Sequence, residues 1–196
     1  MKIFLSFGVL LLLLSCAQKK ENSLTEAIIP ERYTLKSSPT ISIHQDTVFL
    51  NEKKYSGYVV ELDAASLDTL SIQGYLDGLQ SGVGKKWYSN GQLMEERSYF
   101  KGAKNGLQTA YWENGAKKFE FVAREDAYEG EFKEWNIEGN LIHLAHFENG
   151  QENGPQKLWD EEGKIRANYV IVNGKRYGLL GTKNCKNVSD SIFNAN

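Results

Sequence analysis

Two consecutive 24-residue stretches decide the fold of this chain: residues 82–105 read GVGKKWYSNGQLMEERSYFKGAKN, and residues 106–129 read GLQTAYWENGAKKFEFVAREDAYE. Both begin with glycine, place a large aromatic residue at the sixth position and carry Asn-Gly at the ninth and tenth. Self-comparison extends the match to four columns with the same period: Gly82, Gly106, Gly130, Gly154 and Gly178; Gly91, Gly115, Gly139 and Gly163; Gly78, Gly102, Gly150 and Gly174, broken at Asp126; and Trp87, Tyr111, Trp135 and Trp159. Tandem repeats of one structural unit therefore form this part of the chain.

Turn chemistry predicts a β-hairpin in each repeat. Asn90-Gly91 and Asn114-Gly115 are typical of a two-residue type I′ turn, in which both residues have positive φ. Asn105-Gly106 and Asn153-Gly154 are predicted to form the return connections between hairpins. Each repeat therefore has the predicted order strand, turn, strand, turn.

The second strand of each repeat indicates which face is buried. Odd positions equivalent to 93, 95, 97 and 99 are apolar in twelve of sixteen cases, against seven of sixteen for the even positions between them, so the odd positions are predicted to face inward. A single hairpin is marginally stable in water, and the units are expected to pair edge to edge. The predicted fold is all-β, an elongated twisted antiparallel meander of tandem 24-residue β-hairpin repeats.

The first sixteen residues predict export and a membrane anchor. Lys2 precedes an apolar run at residues 3–15, which is too short to span a bilayer and has the length of a signal-peptide core. The run ends in Leu13-Leu14-Ser15-Cys16, which resembles the lipobox of bacterial lipoproteins and implies that the Cys16 thiol is acylated. The alternative is an ordinary secretory signal in which Cys16 is incidental.

Patterning along the chain predicts five segments. They are a lipoprotein signal peptide (1–15), a lipidated polar tether (16–39), an irregular N-terminal β cap (40–75), the repeat array (76–181) and a C-terminal tail (182–196). Within the cap, strands are expected at 40–44, 47–50 and 55–60.

The repeat pattern resembles the MORN repeat variant of bacterial proteins, and residues 55–60 (YSGYVV) resemble the opening segment of its longer members. The resemblance covers about residues 47–181, with departures at Asp126 and Asn136. It implies a fold far better than a function, since some bacterial relatives are described as antitoxins and eukaryotic MORN repeats are linked to membranes and scaffolding. A lipidated, exported chain argues against a cytoplasmic antitoxin.

Aromatic side chains are the main candidates for binding. The column Trp87, Tyr111, Trp135 and Trp159 is interpreted as hairpin core, with stacking platforms for a glycan as the alternative. Tyr88 and Trp112 lie beside the column and are expected to project from the other face.

Other reactive residues do not form a recognisable site in the sequence. His143 and His146 are three residues apart on a strand and should point to opposite faces, which argues against a shared metal. Cys185, between Lys183 and Lys186, has no companion base, and its interpretation as a reactive or metal-binding thiol ranks below a passive one. No catalytic residue, metal site or cofactor is predicted, and the formal charge of −2 argues against nucleic acid as a partner.

These observations favour a non-catalytic lipoprotein of the bacterial cell envelope, held on the non-cytoplasmic side of the inner or outer membrane. Its repeat array is expected to serve as a scaffold for a protein partner or the membrane surface. The alternatives are a carbohydrate- or peptidoglycan-binding module and an immunity or antitoxin-type protein.

Overall fold

Strands joined by tight turns make up the chain over residues 28–181, which are the residues that the computed structural model describes. The predicted signal peptide, Cys16, the tail at 182–196 and Cys185 lie outside them. The strands are β1 (Tyr33–Leu35), β2 (Ile41–His44), β3 (Thr47–Leu50), β4 (Lys53–Lys54), β5 (Gly57–Leu62), β6 (Thr69–Leu76), β7 (Leu79–Gln80), β8 (Gly82–Trp87), β9 (Leu93–Phe100), β10 (Ala103–Tyr111), β11 (Lys117–Arg124), β12 (Ala127–Trp135), β13 (Leu141–Glu148), β14 (Gln151–Trp159), β15 (Ile165–Val172) and β16 (Lys175–Leu179).

One long sheet contains most of these strands. From β5 to β16 each strand pairs antiparallel with the next, apart from the short β7, which pairs only with β6. The all-β antiparallel meander predicted from the repeats is therefore confirmed. β1 adds a parallel edge next to β5, and β2–β4 form a separate three-stranded sheet.

The N-terminal region packs around a small apolar core. Val48, Tyr55 and Val59 are buried there, and the Tyr55 hydroxyl donates to the carbonyl oxygens of Arg32 at 3.0 Å and Tyr58 at 3.2 Å. Residues 28–39, which include strand β1, fall within the segment predicted as tether (16–39), and β1 pairs with β5 in the long sheet.

The return connections differ from the prediction. Two consecutive residues have positive φ at the β-turns that close each pair of second and first strands, as at Lys101-Gly102 (φ 50° and 91°) and Asn149-Gly150 (φ 50° and 79°). These are the type I′ turns, and they occupy the third column, where Glu125 and Asp126 take the same conformation without glycine. The prediction that Asn105-Gly106 and Asn153-Gly154 are return turns was wrong.

Gly106, Gly130 and Gly154 lie in bulges inside the first strands β10, β12 and β14. On β10 the paired residues step from Lys104 to Gln108 while the partner strand β9 steps only from Tyr99 to Arg97. Gly106, at φ 103°, lies in this insertion, and only glycine adopts such a conformation at little cost.

The Asn-Gly turns also differ from the prediction. At Asn90-Gly91 only the glycine has positive φ, and the Gly91 N–H donates to the Tyr88 carbonyl at 2.9 Å. The Asn90 side chain accepts from the backbone N–H of Gln92 at 2.9 Å. This is a three-residue turn with a left-handed glycine, and the two-residue type I′ assignment was wrong because both turn types favour Asn-Gly.

Candidate binding surface

The buried side of the sheet is the one predicted from the alternation. In the second strands of the repeats, every buried residue holds an odd position; these are Phe121, Ala123, Ala145, Ala167 and Ile171. Over residues 28–181 the side-chain hydrogen bonds, ion pairs and ring contacts of strands β9–β15 reach no farther than two strands along the same sheet. The sheet is therefore a single layer here. We call the face that carries the odd-numbered residues of the second strands the odd face, and the buried side chains lie on it.

A row of directly paired residues crosses this face at mid-strand, and we call it the central row. Strand register places its members side by side in the order Gly84, Arg97, Gln108, Phe121, Phe132, Ala145, Gln156 and Tyr169. Gln108 and Gln156 are fully buried although no second layer covers them. We attribute this burial to the bulges, which bend each first strand at this level.

Buried amides link the central row to the bulges. The Gln108 side-chain nitrogen donates to the carbonyl oxygens of Ser98 at 2.8 Å and Gly106 at 3.2 Å. The Gln156 side-chain nitrogen donates to the backbone carbonyl oxygen of His146 at 2.8 Å. In both residues the amide oxygen has no partner among the described residues.

An aromatic cluster dominates the middle of the odd face, and we call it the aromatic patch. Phe121 and Tyr128 have ring centroids 4.5 Å apart, Tyr128 and Phe147 4.9 Å, and Phe132 and His143 5.2 Å. Its members are Phe119, Phe121, Tyr128, Phe132, His143 and Phe147. Only Phe121 is buried, and Tyr128 is 38% exposed.

Charged groups border the aromatic patch. The Arg97 guanidinium lies 4.7 Å from the Phe119 ring centroid, and His143 Nδ1 lies 3.7 Å from a Glu134 carboxylate oxygen. This arrangement of rings inside and charges outside is that of a protein-binding surface. The alternation on the second strands predicted that Phe119, Phe121 and Phe147 face inward, but it did not cover Phe132 or single out a site. Only the strand register brings these rings together.

The side chains of the predicted aromatic column are neither fully buried in a hairpin core nor fully exposed as stacking surfaces for a glycan. Trp87, Tyr111, Trp135 and Trp159 are all half-buried, one at the end of the first strand of each repeat. The Lys117 ammonium lies 5.7 Å from the Trp135 ring centroid.

Tyr88 and Trp112 connect successive repeats. The Tyr88 hydroxyl donates to the Tyr111 carbonyl at 2.9 Å, and the Trp112 ring N–H donates to the Trp135 carbonyl at 3.0 Å. Both side chains are half-buried, and their polar atoms are committed to the fold. Asn136 and Asp160, which replace them in later repeats, instead accept from backbone N–H groups of their own turns.

The histidines stand apart, as predicted from their spacing. His143 joins the aromatic patch, whereas the His146 ring nitrogen Nδ1 lies 2.9 Å from the Asn153 carbonyl oxygen. Within residues 28–181 no group of three potential metal-ligating side chains comes together, and no helix is long and apolar enough to cross a membrane.

Comparison with known proteins adds little. No family model and no curated protein matches the chain, so the resemblance to MORN-variant repeats stays a prediction. Among solved structures, the chain is similar to a mutant of S. aureus TarM in complex with fondaparinux, alpha-GlcNAc-glycerol and UDP, at 13% identity and a TM-score of 0.31. The match covers 50% of this chain and 20% of that one, and it carries no functional argument.

Proposed function

We propose that the protein is a non-catalytic lipoprotein of the bacterial cell envelope, anchored through an acylated Cys16, that docks a partner protein on its aromatic patch. The observation that carries this proposal is the patch itself, a set of contacting rings on a sheet face, of which Tyr128 is exposed and the others, apart from the buried Phe121, are half-buried. Contiguous aromatic surface in contact with water is costly to maintain and marks sites of interaction.

The composition of the patch supports a protein partner. Aromatic residues and arginine are the side chains most enriched at the centres of protein interfaces, and a few of them supply most of the binding free energy. Tyr128 lies among three other rings of the patch and is the most exposed of them, so it is the best anchor for a partner side chain.

Paired substitutions on the two faces of one strand pair test the docking surface. Tyr128→Glu places a charge in the aromatic patch, and Val122→Glu places the same charge on the opposite face at a comparable exposure, 43% against 38%. Affinity capture from the native envelope is expected to retain the same partner with wild type and Val122→Glu and to lose it with Tyr128→Glu. Equal retention by both folded variants would contradict the proposal.

The anchor is tested separately. Globomycin treatment, which blocks cleavage, and Cys16→Ser, which removes the acylated thiol, are each expected to leave an uncleaved precursor, and Cys16→Ser is expected to weaken partitioning into the detergent phase. Unchanged precursor size and partitioning after both treatments would end the lipoprotein proposal without touching the docking surface.

A glycan-binding module is the second candidate, supported by the one half-buried ring per repeat at Trp87, Tyr111, Trp135 and Trp159. Retention on cell-wall sacculi that falls after Trp135→Ala and not after Val122→Ala would favour it. No retention above background would exclude it. An immunity-type role is a form of the docking proposal, and a neighbouring gene for a secreted toxin would favour it.

A further inference from the structure

A cavity lies where the N-terminal cap meets the first repeat, on the odd face and outside the aromatic patch. Its volume is about 160 Å³. We call it the junction cavity, and its lining includes Lys36, Glu61, Tyr75, Glu95, Arg97 and Tyr99.

The cavity exists because the central row lacks a side chain at this point. The equivalents of Gly84 in the next three repeats are Gln108, Phe132 and Gln156, which fill the space on the sheet. At Gly84 the three atoms nearest to an added Cβ all belong to the Gln73 side chain of the neighbouring strand, whose amide oxygen lies 2.0 Å from that Cβ position. The φ angle of Gly84 is not positive, so its backbone conformation does not require glycine.

Charged groups of the lining are paired so that hydrogen-bond donors remain in excess. Both carboxylate oxygens of Glu95 are engaged, one by Lys86 at 2.8 Å and the other by Arg97 at 3.0 Å. Across the cavity, Glu61 accepts from Lys36 at 2.9 Å and from the Ser71 hydroxyl at 3.2 Å. Three cationic side chains, Lys36, Lys86 and Arg97, thus pair with the carboxylates of Glu61 and Glu95. Each cation has more N–H groups than these bonds use.

The neighbouring groups do not change this balance. Lys85 also borders the cavity and forms its own ion pair with Glu96 at 3.0 Å. Burial raises the pKa of the Tyr75 and Tyr99 hydroxyls, so both stay protonated and able to donate near neutral pH. Burial tends to raise the pKa of Glu95 too, but Lys86 and Arg97 outweigh it and the pKa is lowered, so the carboxylate stays charged.

We propose that the junction cavity binds a carboxylate group, either that of a small free acid or the C-terminal carboxylate of a peptide. A single negative charge balances the surplus cation, and the donors of Arg97, Lys86 and the two tyrosines supply the hydrogen bonds that a carboxylate accepts. The volume is well below the roughly 300–1,000 Å³ of pockets for drug-sized ligands, which restricts the occupant to a few non-hydrogen atoms.

Saturation-transfer NMR on the full-length, detergent-solubilised protein tests this proposal with acetate, lactate and trialanine as probes. Acetamide and trialanine amide, which have the same shapes without the charge, serve as matched controls. Binding of acetate or lactate identifies a small acid as sufficient, and binding of trialanine alone identifies a peptide terminus. Absence of binding by all three carboxylates, or equal binding of the amides, would overturn the proposal.

Two variants locate the binding. Gly84→Gln adds a whole side chain next to Gln73 and is expected to abolish binding by filling the cavity, whereas Val83→Gln on the opposite face should leave binding unchanged. Tyr99→Phe, which removes only a hydroxyl, is expected to weaken binding about tenfold or more. Undiminished binding by folded Tyr99→Phe and by folded Gly84→Gln would place the carboxylate elsewhere.

Discussion

The two buried glutamines of the central row allow a prediction with an internal control, because they hold the same position in two different repeats. Gln108 and Gln156 are equivalent, fully buried and flanked by bulges, but the Gln108 amide donates two hydrogen bonds and the Gln156 amide donates one. Each also buries one amide oxygen without a partner in the described residues. Substitution by leucine, which has a similar volume, removes these polar groups without opening a large cavity.

The expected free energies follow from counting partners. A buried polar group that loses its hydrogen bond costs about 1–3 kcal/mol. Gln108→Leu leaves two carbonyl oxygens without their donor and removes one unpaired oxygen, so a net loss of about 1–3 kcal/mol in the free energy of unfolding is expected. Gln156→Leu exchanges one unpaired acceptor for another, and a change of about zero is expected.

Urea unfolding followed by circular dichroism measures both variants against wild type, with the m-value as a check that the same surface is exposed. The reasoning is refuted if the two variants lose equal stability, or if Gln108→Leu is as stable as wild type. Either result would mean that the amide does not satisfy the bulge carbonyls.

Three further variants test single features of the fold. The lowered pKa of Glu95 means that its charge stabilises the fold above its ordinary value of 4.5 and that this contribution is lost as the pH falls through the lower folded value. Glu95→Gln should therefore reduce stability at about pH 7 and leave it unchanged near about pH 2, as a pH series of thermal melts would show. Gly106→Ala (φ 103°, with Ser98 Cβ 3.1 Å from the added carbon) should cost at least about 1–2 kcal/mol by urea titration, and more than Gly130→Ala (φ 73°, open space). Tyr88→Phe should cost about 0.5–1.5 kcal/mol in the same titration, because its hydroxyl bonds the backbone of the next repeat, and no loss would leave that hydroxyl free for a ligand.

Periodicity in the sequence was sufficient to predict the architecture. A 24-residue period in glycines and aromatic residues, with alternation on the second strand, predicts an antiparallel meander and its buried face. These features are local in the chain, and local conformational preference and strand pairing agree throughout the array.

The role of each glycine was not predictable from the same pattern. Gly106 and Gly91 both follow asparagine, yet one lies in a bulge and the other in a turn, because the dipeptide records a need for positive φ and not its setting. Asp126 shows the converse. It takes φ 66° without being glycine, and its carboxylate accepts from the backbone N–H of Lys104 at 2.9 Å.

The sites depend on register, which the sequence did not reveal. The bulges shift the pairing by two residues, and this shift places Phe121 beside Phe132 and, at the junction cavity, Ile72 beside Lys85. Without the shift, neither the aromatic patch nor the junction cavity can be assembled from the sequence.

The most direct test of the repeat architecture is a pair of deletions. Removing residues 106–129 joins Asn105 to Gly130, which holds the same bulge position as Gly106, so every remaining strand keeps its register. Removing residues 106–117 deletes half a period and leaves strands without matching partners. Circular dichroism and size exclusion are expected to show a folded, shorter β protein for the first deletion and aggregation for the second, whereas identical behaviour of the two proteins would contradict an array of 24-residue hairpins.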